Sequence, residues 1–203
     1  MSDVMVAAIE QQTKGKRLVQ LDNGEQWSLY PGELRTLQLS EGAVLSEQQY
    51  IQIRHDVIGK RAKKRAMHLL ERMDRTERDL QRKLLDSGYP EDLVDEAVAY
   101  VKSYHYVDDA RYADCYVRLR GASKSSGKLR MELQQKGIDR ELADQVLASY
   151  EDERDEAQMI RDLLQKRHYD PKTADQGEQR RMYGYLQRRG FRSSDICREL
   201  RLS

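Results

Sequence analysis

The chain has 203 residues, room for one large domain or two small ones, and its 36 basic side chains are offset by 35 acidic ones, which excludes a polycationic DNA-coating protein. Charged residues make up 35% and apolar residues 38%, a balance that favours several small helical units over one thick core. Only three prolines, with long stretches of Glu, Lys, Arg and Gln, point to helix.

The first 58 residues read differently from the rest. Residues 4–12, 16–21 and 25–30 are short runs rich in Val, Ile, Leu, Trp and Tyr, separated by turn residues at 13–15 and 22–24, and predict a three-stranded antiparallel meander. Asn23-Gly24 fits the positive φ of a two-residue hairpin turn. Three strands alone are marginal, and Leu34, Leu37, Leu39, Val44 and Leu45 are the nearest residues to pack on them. Ser46 with Gln49 forms a capping-box pattern that opens a helix through Tyr50, Ile53 and Val57.

From Lys60 onward a pattern recurs three times. Gly88, Gly137 and Gly190 are spaced 49 and 53 apart, and each follows apolar residues eight and four positions earlier: Leu80 and Leu84, Leu129 and Leu133, Met182 and Leu186. Each glycine reads as the left-handed residue that ends a helix, followed by Tyr89, Ile138 or Phe191 folding back onto the preceding turn. A further helix follows through Val94 and Val98, Ala143 and Leu147, Ile196 and Leu200. Another precedes through Ala62, Ala66, Leu69, Leu70 and Met73; through Tyr112, Tyr116 and Leu119; and through Ile160, Leu163 and Leu164. The fold expected is mainly α: a small β-rich segment at 1–58, then three-helix repeats at 59–108, 109–154 and 155–203. The third carries a longer first connection around 169–178 and a clipped last helix.

Charge alternates along these repeats. Residues 60–90 carry ten basic against five acidic side chains, and both 111–137 and 180–203 carry seven against two. Between them, 91–110 carry one basic against six acidic, and 138–179 six against twelve. Stacked repeats would align the basic helices into a stripe suited to a polyanion or to a repeating acidic surface. The candidate contacts are Lys63, Lys64, Arg78, Arg82 and Lys83 within or after the 60–65 cluster; Arg111, Lys124, Lys128, Arg130 and Lys136 in the second repeat; and Arg180, Arg181, Arg188, Arg189 and Arg192 in the third. Tyr100, Tyr104, Tyr106, Tyr112 and Tyr116 read as half-buried seams between repeats, with base stacking as their alternative use.

Residues 121–129 resemble a phosphate-binding loop but have five residues between glycines rather than four. Leu129 stands where Ser or Thr would meet Mg²⁺, and the segment reads instead as a flexible basic linker. His55, His68, His105 and His168 show no metal-ligand spacing and are expected at the surface or at an interface. Cys115 and Cys197 form no CxxC pair, read as packing residues, and suit a reducing compartment. Asp108 and Asp109 read as helix-capping acids, and 151–156 as a solvated helix start. No run approaches the ~18 apolar residues of a membrane span, and the first ten residues lack the features of a secretion signal. Hence a soluble cytoplasmic protein is expected, without enzymatic activity, cofactor or metal.

Residues 60–203 resemble the RecX regulatory proteins, bacterial modulators of the RecA recombinase. The resemblance rests on Arg75-Thr76 with Leu80, Lys83-Leu84 and Gly88-Tyr89; on Val107-Asp108-Asp109-Ala110-Arg111-Tyr112-Ala113 with Tyr116; on Glu132-Leu133 with Gln135-Lys136-Gly137-Ile138; and on Leu186-Gln187-Arg188-Arg189-Gly190-Phe191. It departs at Ser87, in the place held by Lys136 and Arg189 later in the chain, and at Lys128, where the family often has proline. The resemblance implies three tandem three-helix repeats in an elongated, curved array. It implies a non-catalytic, likewise monomeric protein that binds the groove of the RecA–DNA filament and limits filament growth, ATP hydrolysis and strand exchange, with weaker contacts to single- or double-stranded DNA. A stand-alone DNA-binding regulator and a passive helical adaptor are the alternative readings.

Overall fold

The structure, a computed structural model, describes residues 3–12, 15–151 and 155–202. The chain forms two compact units, Met1–Asp108 and Asp109–Ser203. Thr13 and Lys14 of the first expected turn, and Asp152, Glu153 and Arg154 of the acidic run, lie outside the described residues.

In the first unit, β1 (Val4–Gln11), β2 (Arg17–Leu21), β3 (Gln26–Leu29) and β4 (Val44–Leu45) form an antiparallel sheet in the order β3-β2-β1-β4. Side chains alternate across a strand, so Val4 and Val6, Val19 and Leu21, Trp27 and Leu29 fall on one face and are buried there. The expected meander is therefore present with one strand more. The two-residue β4 carries no alternation to reveal it, and its Val44 is 60% exposed rather than packed.

The β2–β3 turn also differs from expectation. Leu21 donates its N–H to Glu25 O (2.9 Å) across three residues, and only Gly24 takes a positive φ, 86°. Asn23 instead accepts from the Glu25 N–H (3.0 Å), an Asx-type turn that its short amide makes readily.

After the short helix α1 (Pro31–Thr36) and β4, Ser46 caps α2 (Glu47–Gln52) through the expected capping box with Gln49. The helix continues without a break through a π-helical stretch, Ile53–Gly59, into α3 (Lys60–Arg72). The five-residue spacing of Ile53 and Ile58 matches the i→i+5 period of a π-helix, so both meet the sheet core. Beyond it Ala62, Ala66 and Leu69 face α4 (Glu77–Leu85) and α5 (Glu91–Ser103).

The second unit holds two more triplets, α6 (Asp109–Arg120), α7 (Ser126–Gln135) and α8 (Arg140–Ser149), then α9 (Glu156–Lys166), α10 (Gln176–Arg188) and α11 (Ser193–Leu200). Each triplet has its own apolar core. The chain is thus mainly helical, with three three-helix units and a small N-terminal antiparallel sheet.

The recurring glycine ends the middle helix of each triplet as expected. Gly88, Gly137 and Gly190 have φ of 83°, 93° and 83°. The residue after each donates its N–H five residues back, Tyr89 to Leu84 O (3.4 Å), Ile138 to Leu133 O (3.0 Å) and Phe191 to Leu186 O (3.4 Å), which closes a Schellman motif. The same motif closes α5 and α9 without glycine. His105 and His168 adopt φ of 57° and 52°, while Tyr106 bonds Val101 O and Tyr169 bonds Leu164 O, both at 3.0 Å.

The middle helices also share a start: Thr76, Ser125 and Asp175 accept from backbone N–H groups of α4, α7 and α10. Two residues assigned to the apolar face lie outside it. Met73 is 57% exposed, and Leu119 is 78% exposed while Ala113 and Val117 fill the core beside it.

Candidate functional site

In the first unit the sequence-predicted cations have different fates. Lys63 lies near Glu96 (3.7 Å) and over the Tyr100 ring (5.7 Å). Arg82 is paired with Asp79 (2.5 Å), which Arg75 holds from the other side at 2.6 Å. Arg78 and Lys83 lie on α4 and make no ion pair, and Lys64 lines a cleft against the sheet.

Tyr100, Tyr104 and Tyr106 are not half-buried seams. They form an exposed aromatic row with successive ring centroids 5.1 and 6.0 Å apart. Tyr112 and Tyr116 do pack, against the core of the second triplet.

In the second unit, Arg130 is paired with Asp144 and Arg192 with Glu151 (3.4 Å). Lys136 lies over Tyr112 and Tyr116, 5.9 and 5.5 Å from the ring centroids. Arg111 is exposed on α6 and is not without a partner, and Arg180 and Arg181 are exposed on α10. Lys124 holds both oxygens of Glu132 (2.6 and 2.7 Å), to which Tyr116 also donates its hydroxyl (2.8 Å). Burial would raise the Glu132 carboxyl, but the hydrogen bonds from Lys124 and Tyr116 outweigh it and hold that group below its usual range.

The remaining cations converge. A cleft of about 600 Å³ lies where the start of α7 meets α9 and the end of α10, and Lys124, Lys128, Lys166, Arg188 and Arg189 line it. Asp162, which accepts from Gln158 (2.7 Å), is the one carboxylate lining it among the described residues. Lys128, Lys166 and Arg188 make no ion pair there, and the Arg189 guanidinium lies 4.8 Å from the Tyr185 ring centroid.

The cleft is held open by a backbone joint. The buried Ser125 donates its hydroxyl to Arg189 O (2.5 Å) and accepts from the Lys128 N–H (3.2 Å), while the Ser126 N–H donates to Glu156 (2.5 Å). Gly127 and Gly190 touch backbone to backbone. A Cβ on Gly127 would fall on the Gly190 carbonyl, and a Cβ on Gly190 would stand 2.6 Å from the Lys128 nitrogen.

Two expectations are corrected by this joint. Residues 121–129 are a 3-10 turn (Gly121–Ser123) followed by a capped helix start, not a flexible linker. Glu156 is not merely a solvated helix start, because it reaches across to α7. The α7 N-terminus is thereby occupied by Glu156, so the positive charge of the cleft comes from its side-chain cations. Like charges gathered in a concave surface reinforce one another's field, and the groups they suit are phosphate and carboxylate.

Sequence reasoning found Lys124, Lys128, Arg188 and Arg189 but missed Lys166, because the surrounding 138–179 is acidic on average. Among the described residues no cluster of His, Cys, Asp and Glu has the arrangement to hold a metal ion, and no helix is long and apolar enough to cross a membrane.

Comparison with known proteins adds three matches to family models. RecX, first three-helix domain, matches residues 62–100; RecX, second three-helix domain, 108–147; and RecX, third three-helix domain, 154–200. The regulatory protein RecX of Trichlorobacter lovleyi is 37% identical over 142 residues, covering 66% of this chain and 90% of that protein. That of Caldanaerobacter subterraneus is 31% identical over 168 residues, covering 82% and 83%. Among solved structures, a crystal structure of regulatory protein RecX aligns with TM-score 0.65 and 26% identity over 98% of this chain and 100% of the other. RecX from Lactobacillus salivarius, at 22% identity and TM-score 0.59, covers 70% of this chain and 94% of its own, and shares the fold.

Proposed function

The chain belongs to the RecX family, and from that premise we propose that it is a non-catalytic, mainly inhibitory modulator of the RecA recombinase. It acts as a cytoplasmic monomer that binds the groove of the RecA–DNA filament and limits filament growth, ATP hydrolysis and strand exchange. We assign this activity to the repeats at 59–108, 109–154 and 155–203. The supporting observation is the cleft of the second unit, where Lys128, Lys166 and Arg188 stand without ion-pair partners beside Arg189. Cations left unpaired are available to an acidic partner, whereas Arg82, Arg130 and Arg192 already have carboxylates. DNA contacts are secondary in this reading. Arg78, Lys83, Arg180 and Arg181 are further contact candidates, each individually weak, that gain by acting together.

The test adds the protein to RecA, ATP and single-stranded DNA. Hydrolysis should slow in proportion to the protein added, and filaments should shorten. Unchanged hydrolysis and filament length across the titration would reject the proposal. Tight, sequence-selective duplex binding without recombinase would favour a stand-alone DNA regulator instead.

A further inference from the structure

A second cleft, of about 630 Å³, lies within the first unit where the N-terminal sheet faces α3 and the end of α4. Its cations come from both sides: Lys16 from just before β2, and Arg61, Lys64 and Arg65 from α3. Asp86 is the carboxylate that lines it, and Glu33 lies behind Arg61 (3.0 Å). Among the described residues the Lys64 and Arg65 side chains make no hydrogen bond or ion pair. The Arg61 guanidinium donates to Glu33 and to Ser28 O (2.8 Å), yet its Nε is buried without a partner. A buried donor left unmatched costs free energy that an arriving acceptor would recover.

Tyr30 stands in this cleft, 45% exposed, with Lys16 and Arg61 over its ring, each about 5.5 Å from the centroid, so that an arriving base would share the ring with these cations. Cations beside an exposed ring form a surface that grips a phosphodiester backbone and stacks an unpaired base. An acidic protein loop would use the cations but leave the ring idle, and a duplex keeps its bases stacked out of reach.

We infer that this cleft between the N-terminal sheet and α3 is a binding site for single-stranded nucleic acid, with Lys64 and Arg65 on the phosphates and Tyr30 as a base platform. Most of the residues that shape its far wall, Gln12, Lys16, Ser28 and Tyr30, lie outside the 62–200 span matched by the three-helix family models. The inference goes beyond recombinase regulation and does not depend on it, since binding requires no recombinase.

The experiment measures anisotropy of a fluorescein-labelled oligo-dT with the full chain alone. Lys64→Glu/Arg65→Glu should weaken binding about tenfold or more and lower the slope of affinity against salt by about two. Tyr30→Leu should weaken it about five- to tenfold with the slope unchanged. Lys64 and Arg65 are exposed, so circular dichroism should be unaltered, and Lys64→Ala/Arg65→Ala gives a second, smaller loss in the same direction. Wild-type affinity in Lys64→Glu/Arg65→Glu, duplex binding as tight as single-strand binding, or displacement by polyglutamate equal to that by unlabelled oligonucleotide would each overturn the inference. Because recombinase is absent, such a failure leaves the RecA reading standing.

Discussion

The two compact units join their parts by different means. In the first, side chains make the joint. Leu93 of α5 is buried among the sheet residues, Tyr89 touches both the sheet core and the first triplet's core, and Arg54 grips Glu25 (2.8 Å) on one side and Asp92 (2.7 Å) on the other. In the second, backbone meets backbone, and Gly127 and Gly190 are glycines because no side chain fits between them. A side-chain joint tolerates graded change, since neighbours can relax around a smaller residue. A backbone joint fails abruptly, since neither side can move without unseating a helix end.

Gly190→Ala breaks the comparison hardest. The alanine Cβ meets the Lys128 nitrogen and also sits at positive φ, so a loss of about 3 to 4 kcal/mol is expected by urea unfolding. Leu93→Ala tests the other joint and should cost about 3 kcal/mol by the loss of one fully buried leucine. Gly88→Ala sharpens the contrast, because Gly88 has the same φ of 83° but open space around its Cβ. It should cost only about 1 kcal/mol, and equal losses at Gly88 and Gly190 would remove the backbone joint from the account.

Acid titration gives a smaller effect. Glu132 in the second unit and Asp79 in the first are held below the usual carboxylate range, in each case by cationic hydrogen bonds that outweigh burial. A depressed folded pKa means stability that is complete above the unfolded value of about 4 and is lost as pH falls through the folded one. Glu132→Gln should therefore remove on the order of 1 kcal/mol at neutral pH and flatten the acid limb of a stability–pH curve. The smallest change is a gain: His105→Gly should stabilise by about 0.5 to 1 kcal/mol, because His105 holds a left-handed φ that glycine adopts freely.

The triplet cores were legible in the sequence to the extent that they are apolar and periodic. Leu80, Leu84, Leu129, Leu133 and Leu186 sit in cores because their spacing repeats, and Gly88, Gly137 and Gly190 declare their helix ends. The backbone joint was not legible, because a glycine chosen for close approach looks like one chosen for flexibility, and residues 121–129 accordingly read as a linker. The helix ends at His105 and His168 were hidden for the converse reason, since the same motif is closed there without glycine. Of the cleft in the second unit, the cations on the glycine helices stood out, while Lys166 was masked by its acidic neighbours. The exposed row of Tyr100, Tyr104 and Tyr106 was misplaced because tyrosine suits both seams and surfaces.

Under the proposed function, the position of the unpaired cations, not the total charge, carries regulation of the recombinase. Lys128→Glu/Arg188→Glu and Arg180→Glu/Arg181→Glu change the net charge equally, and only the first pair lies in the second unit's cleft. Titrated into RecA, ATP and single-stranded DNA, the first variant should lose inhibition of ATP hydrolysis by tenfold or more in half-effective concentration, about 1.4 kcal/mol per decade, while the second stays within about threefold of wild type. Equal losses in both variants, or full inhibition by Lys128→Glu/Arg188→Glu, would contradict it.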